Sequence, residues 1–319
     1  MSYKDSFFSC FFVPKPTLTE KNLPDQTGCV TIITGGYAGV GKELARILYQ
    51  KNATVYVAGR SKEKAQNAVE EIKSSAPTSD GRLEFLHIDL ADLSTIKPAV
   101  EAFLQKEQKL NVLVNNAGVM FPPAGQVTTQ GHELQMGTNV LGHYLFTQLL
   151  TPLLDKTAST APPNSVRVCW AASLATFISP KNGITWSDET NTPKTLSDPL
   201  QNYAQSKTGN IFLAQSYQSQ HPNLVSLAFN PGNLHSELGR HQEGSMFVRL
   251  GKAILCHPTI YGAHTELWAG WSEEAGQHGG ESRYVAPWGR WGLLRSDILG
   301  SDAKRKLWEW CERETREFL

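Results

Sequence analysis

Short apolar runs alternate with segments of helical periodicity along most of this chain. Residues 29–34 are rich in β-branched side chains and predict a buried strand, whereas the segment from Lys42 to Tyr49 repeats its apolar residues at helical spacing. The same patterns predict strands at 54–58, 83–88, 111–114, 165–170, 224–229 and 283–286, and helices at 62–73, 93–107, 132–154 and around Tyr203 as far as Gln220. Such alternation is typical of an α/β protein with a single doubly wound parallel sheet, here of about seven strands with helices on both faces. Ligands of such sheets bind at the carboxyl ends of the strands, near the point where the strand order reverses.

We divide the chain into three parts on this basis. Residues 1–27 form an N-terminal arm, residues 28–290 the sheet domain with candidate substrate loops at 174–200 and 235–259, and residues 291–319 a C-terminal helical extension. A chain of 319 residues could also form two small domains, but the uninterrupted alternation favours one.

The arm contains a strongly apolar segment, residues 7–13, which Pro14 and Pro16 end. This segment is far too short to span a bilayer, and it lacks the basic leader and the small-residue cleavage site of a secretory signal. We therefore expect no transmembrane segment, and we expect the arm to pack on its own domain or on an oligomeric partner. Shallow membrane contact by residues 7–13 is the less favoured alternative.

Composition narrows the class of partner to small molecules. The 30 basic and 30 acidic side chains give zero net charge, and without a long basic run the chain is not expected to bind nucleic acid. The five cysteines are scattered and include no Cys-x-x-Cys pair, which indicates reduced thiols and a cytoplasmic protein. The nine histidines are dispersed as well, so no metal site is expected.

A glycine-rich turn follows the first predicted strand and precedes the first predicted helix. Gly35 would allow the tight turn, Gly39 the approach of backbone to a pyrophosphate, and Gly41 the close packing of helix and strand. The pyrophosphate would then lie against exposed amides at the positive end of the helix. The alternative is an ordinary glycine-rich loop, which the strand–turn–helix context disfavours.

Tyr203 and Lys207 lie four residues apart in a predicted helix and therefore share one face. A lysine ammonium favours the phenolate, so we expect Lys207 to lower the pKa of Tyr203 from about 10. A tyrosine tuned in this way donates or accepts a proton near neutral pH. Because many surface helices carry this pair by chance, the inference depends on the nucleotide-binding turn upstream.

Three motifs in this order resemble those of the short-chain dehydrogenase/reductase family. They are the Thr-Gly-x-x-x-Gly-x-Gly turn at 34–41, the Asn-Asn-Ala-Gly segment at 115–118, and the Tyr203/Lys207 pair. The resemblance extends from about Thr27 to Pro287 and is strongest to the retinol-dehydrogenase-like and fungal carbonyl-reductase members. It implies a Rossmann-type fold and an oxidoreductase that transfers hydride between a nicotinamide cofactor and a carbonyl or alcohol, with Tyr203 as general acid and base.

The resemblance also implies a catalytic set. It consists of Asn139, Ser173, Tyr203 and Lys207. The family usually has two serines after the fifth strand, and here only Ser173 is present, at the position that would bind the substrate carbonyl. Asn139 would hold a water that returns protons to the lysine; without the resemblance, this residue would be interpreted as an exposed polar side chain.

The cofactor-binding residues that the resemblance implies are spread over five loops and the predicted helix around Tyr203. They are Gly35, Tyr37, Ala38, Gly39, Val40, Gly41, Arg60, Asp89, Leu90, Asn116, Ala117, Gly118, Tyr203, Lys207, Pro231, Gly232, Leu234 and Ser236. Asp89 would contact the adenine; its alternative role is an N-cap, for which Asp92 is the better candidate.

The choice of cofactor is set after the second strand. Enzymes that prefer NAD usually carry an acidic residue there, whereas this chain has Arg60, whose guanidinium can bind the extra phosphate of NADP. We therefore predict NADP(H), with NAD(H) less favoured. The alternative is that Arg60 is a plain surface charge at the start of a helix. Ala38, just before the second glycine, supplies no second basic residue for the phosphate.

Apolar side chains in the two candidate loops favour a medium-sized, rather lipophilic substrate. They are Phe177, Ile178, Trp186, Leu238, Met246, Phe247 and Leu250. Two other functions stay open: a cofactor-retaining epimerase or dehydratase, and a non-catalytic NADP(H)-binding sensor or partner protein. The chain is either a monomer or a homodimer, since family members often pair through helices near 132–154 and 200–220.

Overall fold

One mixed sheet organises the computed structural model, which describes residue 7 and residues 10–235, 256–277, 283–300 and 302–319. The strands are β1 (Val30–Thr34), β2 (Thr54–Gly59), β3 (Arg82–His87), β4 (Val112–Asn115), β5 (Arg167–Ala171), β6 (Val225–Phe229), β7 (Arg283–Ala286) and β8 (Arg290–Leu293). Their order is β3-β2-β1-β4-β5-β6-β7-β8, with every neighbouring pair parallel except β7 and β8. The predicted class, a doubly wound Rossmann-type parallel sheet, is confirmed.

Helices cover both faces of the sheet. They are α1 (Gly39–Gln50), α2 (Lys62–Ser75), α3 (Ile96–Leu104), α4 (His143–Ala158), α5 (Pro199–Gln220), α6 (Thr259–Trp271), α7 (Glu273–Gly276), α8 (Ser296–Leu299) and α9 (Ala303–Thr315). Short 3₁₀ turns lie at Leu93–Thr95, Leu174–Ile178 and Arg316–Phe318.

The inner strands β1, β4, β5 and β6 are largely apolar because both of their faces are buried. Ile32 and Ile33 of β1 are fully buried yet belong to opposite cores. The first core is covered by α3, α4, α5 and α9, and the second by α1, α2 and α6. Burial on both sides explains why the sequence shows continuous apolar runs rather than alternation.

The predicted strand number of about seven was too low by one. β8 (Arg290–Leu293) returns antiparallel to β7 and forms the edge of the sheet. Its sequence, Arg-Trp-Gly-Leu, contains no β-branched residue and has a glycine in its interior, so it carries no strand signal. The sheet therefore extends into the segment 291–319, which was expected to be helical.

The helix predicted at 132–154 is interrupted. A single helical turn at Leu134–Met136 passes into a π-helix at Gly137–Gly142 and then into α4, which continues to Ala158. A π-helix in the middle of a helix is typical of functional sites. The apolar pattern of 132–154 predicted one continuous helix and did not reveal this interruption.

The two ends of the chain pack against the domain. Leu307 of α9 is fully buried and lies against α5 beside Gly209, while Trp308 packs edge-on against Tyr144 with ring centroids 5.0 Å apart. At the other end, the thiol of Cys10 is buried beside Tyr284. Over the part of the chain that the structure describes, no helix combines the length and apolarity needed to cross a bilayer.

Candidate active site

A cleft of about 1020 Å³ opens at the carboxyl ends of the parallel strands. Its walls are formed by the loops that follow β1, β2, β3, β4, β5 and β6. The strand order reverses at β1, which pairs with β2 on one side and β4 on the other. The cleft therefore lies where a doubly wound sheet binds its ligand.

The glycine-rich turn forms one end of the cleft with the conformation that the sequence predicted. Gly35 and Gly39 have φ angles of 67° and 51°, which favour glycine. A Cβ on Gly41 would lie 2.6 Å from Nδ2 of Asn116, so this position holds α1 against the neighbouring loop. The N-cap of α1, Ala38, has no side-chain cap, which leaves the first amides of the helix available to a bound anion.

Most of the predicted cofactor residues line this single cleft. They are Gly35, Tyr37, Ala38, Gly39, Val40, Arg60, Asp89, Leu90, Asn116, Ala117, Gly118, Tyr203, Lys207, Pro231, Gly232 and Leu234. Gly41 lies behind the lining, in the contact with Asn116. Ser236 and the four loop residues Leu238, Met246, Phe247 and Leu250 lie outside the described residues.

Basic side chains gather at the end of the cleft near β2. Arg60 and Lys64 both line it, together with Ser61, whose backbone N–H donates to Oη of Tyr37 at 3.5 Å. Sequence reasoning missed Lys64. The signal was available, because side chains in the first turn of a helix tilt towards its N-terminus, and α2 begins directly after Arg60.

Asp89 lies in the cleft wall, and its Oδ1 accepts a hydrogen bond from the backbone N–H of Ala91 at 3.0 Å. The alternative role of Asp89 as an N-cap is wrong, since Asp92 is the residue that caps the following turn and accepts from the N–H of Ser94. Asp89 therefore shapes the cleft rather than the helix.

Ser173, Tyr203 and Lys207 line the same cleft. Helix α5 begins at Pro199, and Asp198 is its N-cap. Because Tyr203 and Lys207 are four residues apart in this helix, they lie one turn apart on the same face. The Lys207 Nζ donates to the carbonyl oxygen of Ala171 at 3.0 Å and lies 5.8 Å from the centroid of the Tyr203 ring. Helix α5 and the carboxyl end of β5 thus bring Ser173, Tyr203 and Lys207 together in the cleft wall.

Burial sets the protonation of the pair. It raises the pKa of Tyr203 to about 12, against the opposing effect of the Ser173 side chain. Burial also lowers the pKa of Lys207 to about 8, against an opposing effect of Glu266. The expectation that Lys207 lowers the tyrosine pKa below 10 was wrong for this structure, because burial disfavours the phenolate more strongly than the Ser173 side chain favours it.

Asn139 lies in the π-helix and is fully buried, so its interpretation as an exposed side chain is wrong. Its Oδ1 accepts from the N–H of Val119 at 2.8 Å, and its Nδ2 donates to Oγ of Ser206 at 3.0 Å. A Cβ on Gly118 would lie 3.1 Å from Oδ1 of Asn139 and 3.2 Å from Nζ of Lys207. Gly118 therefore separates the asparagine from the lysine at close range.

Comparison with known proteins agrees with this geometry. A family model described as short chain dehydrogenase matches residues 29–162. A short-chain dehydrogenase/reductase from Phomopsis amygdali is 41% identical over 323 residues, which cover 97% of this chain and 96% of the relative. The chain belongs to the short-chain dehydrogenase/reductase family.

Two solved structures with this fold carry nicotinamide cofactors. The Pseudomonas aeruginosa RhlG/NADP active-site complex has a TM-score of 0.61 at 20% identity, over 79% of this chain and 92% of that one. The 3-ketoacyl-(acyl-carrier-protein) reductase from Brucella melitensis complexed with NADH has a TM-score of 0.59 at 22% identity, over 78% and 93%. At these identities the likeness concerns the fold alone.

Sequence reasoning missed a buried histidine in this short-chain dehydrogenase/reductase. The Nδ1 of His143 lies 3.0 Å from the carbonyl oxygen of Asn139, and Nε2 lies 2.9 Å from Oγ1 of Thr34. Burial lowers the pKa of His143 to about 3, so the ring is neutral and must donate from Nδ1, because a carbonyl can only accept. Nε2 then accepts from Thr34, whose oxygen accepts the N–H of Ala117. His143 thus connects the π-helix to the cofactor turns.

Glu266 on α6 is a second residue that the sequence analysis did not single out. Its side chain is fully buried, and neither carboxylate oxygen has a hydrogen-bond partner among the described residues. Burial raises its pKa well above the ordinary value near 4.5, with Lys207 opposing. Burial therefore favours the neutral form of this carboxyl group. A glutamate inside the apolar segment 262–270 was the available sequence signal.

The candidate loop at 174–200 contributes only its beginning to the cleft. Leu174 lines the wall, Phe177 is half-buried behind it, and Ile178 is exposed. Trp186 lies instead in a smaller cavity near α9. Among the residues that the structure describes, no group of three or more His, Cys, Asp and Glu side chains is placed to hold a metal ion.

Proposed function

We propose that this short-chain dehydrogenase/reductase is an NADP(H)-dependent carbonyl reductase that acts on a medium-sized, rather lipophilic substrate. One observation carries the proposal. The cleft that begins at the glycine-rich turn also contains a phenol, a hydroxyl and an ammonium group, from Tyr203, Ser173 and Lys207. The reverse reaction of the same site would oxidise the corresponding alcohol.

The residues present fit a nicotinamide dinucleotide. Gly35 and Gly39 keep side chains away from the turn, and the uncapped start of α1 offers amides to a pyrophosphate. At the other end of the cleft, Gly232 has a φ of 92° and lies in the wall beside Leu234. When bound, the cofactor supplies the hydride.

The protein residues would supply the hydrogen bonds and the proton. Ser173 would donate to the substrate oxygen, and Tyr203 would donate a proton to it. With a pKa of about 12, Tyr203 is a protonated phenol at neutral pH, the form that reduction requires. Lys207 would remain mostly an ammonium below pH 8 and favour charge on the phenolic oxygen after proton donation.

Asn139 would act on the tyrosine through the helix. Its Nδ2 donates to Oγ of Ser206, and that hydroxyl donates to the backbone carbonyl of Tyr203 at 2.8 Å. We propose that these hydrogen bonds fix the position of the Tyr203 backbone, and with it the position of the Tyr203 ring in the cleft. The same proposal includes a water that Asn139 orders beside Lys207, as the family resemblance implies.

The preference for NADP(H) rests on charge. Arg60 and Lys64 face the cleft where the cofactor ribose would follow the turn, and the first residues after β2 are Arg60 and Ser61 rather than an acidic residue. The second basic residue that Ala38 does not provide is supplied by Lys64 instead. Since cells keep NADP largely reduced, we propose carbonyl reduction as the physiological direction.

A cytoplasmic location fits the cysteines. Cys10, Cys169 and Cys311 are buried in the fold, and burial raises the pKa of the Cys169 thiol to about 12. Such thiols are unreactive small apolar groups, as expected in a reducing compartment.

Consumption of NADPH by the purified protein tests the proposal. A panel of lipophilic ketones and aldehydes is offered with NADPH and, in parallel, with NADH. We expect turnover with NADPH that Tyr203→Phe abolishes while tight NADPH binding remains. Binding of NADPH without reduction of any carbonyl would favour an epimerase, a dehydratase or a sensor, and absence of nucleotide binding would refute the cofactor site.

A further inference from the structure

The N-terminal arm is anchored beside the loop that follows β6, away from the β2 end of the cleft. Cys10 is 3% exposed, and its Sγ lies 3.7 Å from Oη of Tyr284 and 3.8 Å from Nδ2 of Asn230. Tyr284 belongs to β7, and Asn230 directly follows β6. The anchor is therefore at the carboxyl end of the sheet, on the side of β1 opposite to β2 and β3, where Arg60 and Asp89 lie.

Aromatic rings join the arm to the turn that follows the candidate catalytic serine. Phe7 lies edge-on to Phe177, with centroids 5.5 Å apart, and Phe177 lies edge-on to Tyr284 at 6.1 Å. Phe177 is part of the 3₁₀ turn at Leu174–Ile178, which Ser173 caps. Edge-to-face pairs of this kind are favourable in addition to the apolar area they bury.

Phe11 is the arm residue that enters the cleft. Its ring lies edge-on to Phe7 with centroids 5.4 Å apart, and its side chain forms part of the cleft wall. The next residue, Phe12, is 86% exposed, so the chain turns away from the cleft directly after Phe11. Of these two adjacent phenylalanines, only Phe11 is placed to meet a ligand.

We propose that the N-terminal arm forms part of the substrate site and that Phe11 determines specificity for carbonyl compounds with an apolar ring next to the carbonyl group. The surrounding wall agrees with this chemistry, since Leu174, Met120 and Pro122 line the same cleft. A ring offers the substrate an edge or a face at fixed distance, which a flexible aliphatic wall does not. The proposal rests on the carbonyl-reductase function proposed above.

Paired variants of the two phenylalanines test it, because Phe12 is an exposed neighbour on the same arm. Phe11→Ala, Phe12→Ala and the wild type are assayed with NADPH against a cyclic aromatic ketone and a short aliphatic ketone. For Phe11→Ala we expect KM for the ring-containing ketone to rise roughly tenfold, with a small change for the aliphatic one. The Kd for NADPH, measured by titration without substrate, should stay unchanged, and Phe12→Ala should match the wild type.

The outcomes separate the two proposals. If the wild type reduces the ketones and Phe11→Ala has the same KM for each ketone as the wild type, the proposed role of the arm is overturned and the reductase function stands. An equal rise in KM for both ketones in Phe11→Ala, or weaker binding of NADPH, also overturns the role of the arm, because either result would indicate a general structural effect. If the wild type binds NADPH but reduces no carbonyl, the proposed function fails and the arm proposal fails with it.

Discussion

Tyr203 and Lys207 respond to one environment in opposite ways. Both are nearly inaccessible to solvent, and burial disfavours whichever form carries charge, so the pKa of the tyrosine rises to about 12 and that of the lysine falls to about 8. At neutral pH the site thus contains a phenol and an ammonium side by side. The spacing of four residues revealed the pair but not the burial, because burial depends on the elements that pack against α5, among them β5, β6 and α9.

Arg60 and Lys64 test cofactor choice at the level of single residues. Arg60→Ala combined with Lys64→Ala should raise KM for NADPH by about tenfold or more, since hydrogen bonds to charged groups contribute about 1.5–3 kcal/mol. KM for NADH should change little, because NADH lacks the phosphate. Steady-state kinetics with both nucleotides measure the difference.

Lys62→Ala is the matched control for this pair. Lys62 starts the same helix and is exposed, but it does not line the cleft. If Lys62→Ala raises KM for NADPH as much as the double variant does, general surface charge rather than a phosphate site would explain the effect.

Glu266 gives a prediction for stability against pH. Because its folded pKa is raised above 4.5, the native protein retains a proton that the unfolded chain releases, and stability falls as pH rises through this window. Glu266→Gln removes this dependence. Relative to the wild type, the variant should gain up to about 1.4 kcal/mol per pH unit between pH 5 and 7.

Urea unfolding at pH 5, 6 and 7 measures this gain. The window stays below the Lys207 pKa of about 8, so the lysine remains charged throughout. A constant difference between wild type and Glu266→Gln over these three pH values would show that the carboxyl group has an ordinary pKa in the folded protein.

At the scale of elements, strands and the glycine-rich turn were predictable because each depends on local composition. β1, the turn at Gly35 and α1 follow from β-branched residues, a positive φ and helical spacing. The π-helix at Gly137–Gly142 and strand β8 were not predictable. The former depends on tertiary partners such as Val119 and Ser206, which hydrogen-bond to Asn139, and the latter on pairing with β7 rather than on its own composition.

The C-terminal helix α9 contributes to stability through its buried stripe. Leu307 is fully buried against α5, so Leu307→Ala should lower the free energy of unfolding by about 2–5 kcal/mol. Arg316→Ala, at an exposed position of the following turn, should stay within about 0.5 kcal/mol of the wild type. Equal urea midpoints for the two variants would mean that α9 does not unfold with the domain.

At the scale of the whole molecule, the cleft assembles residues from positions that are distant in the sequence. The glycine-rich turn, the loop after β4, Ser173 and α5 meet because parallel strands bring their carboxyl ends to one edge. That much of the candidate site followed from topology and motif order. The contribution of the arm did not, because its apolar composition does not indicate which surface it covers. The contacts of Cys10 with Tyr284 and Asn230, and of Phe7 with Phe177, place it.

Transfer of deuterium tests the central claim most directly. NADPH carrying deuterium at the transferable position of the nicotinamide is supplied with a carbonyl that the protein converts, and the product is analysed by mass spectrometry. We expect one deuterium on the carbinol carbon of the alcohol, and no labelled alcohol with Tyr203→Phe. A product without deuterium, or one that retains its carbonyl, would contradict hydride transfer to a carbonyl and with it the proposed reductase.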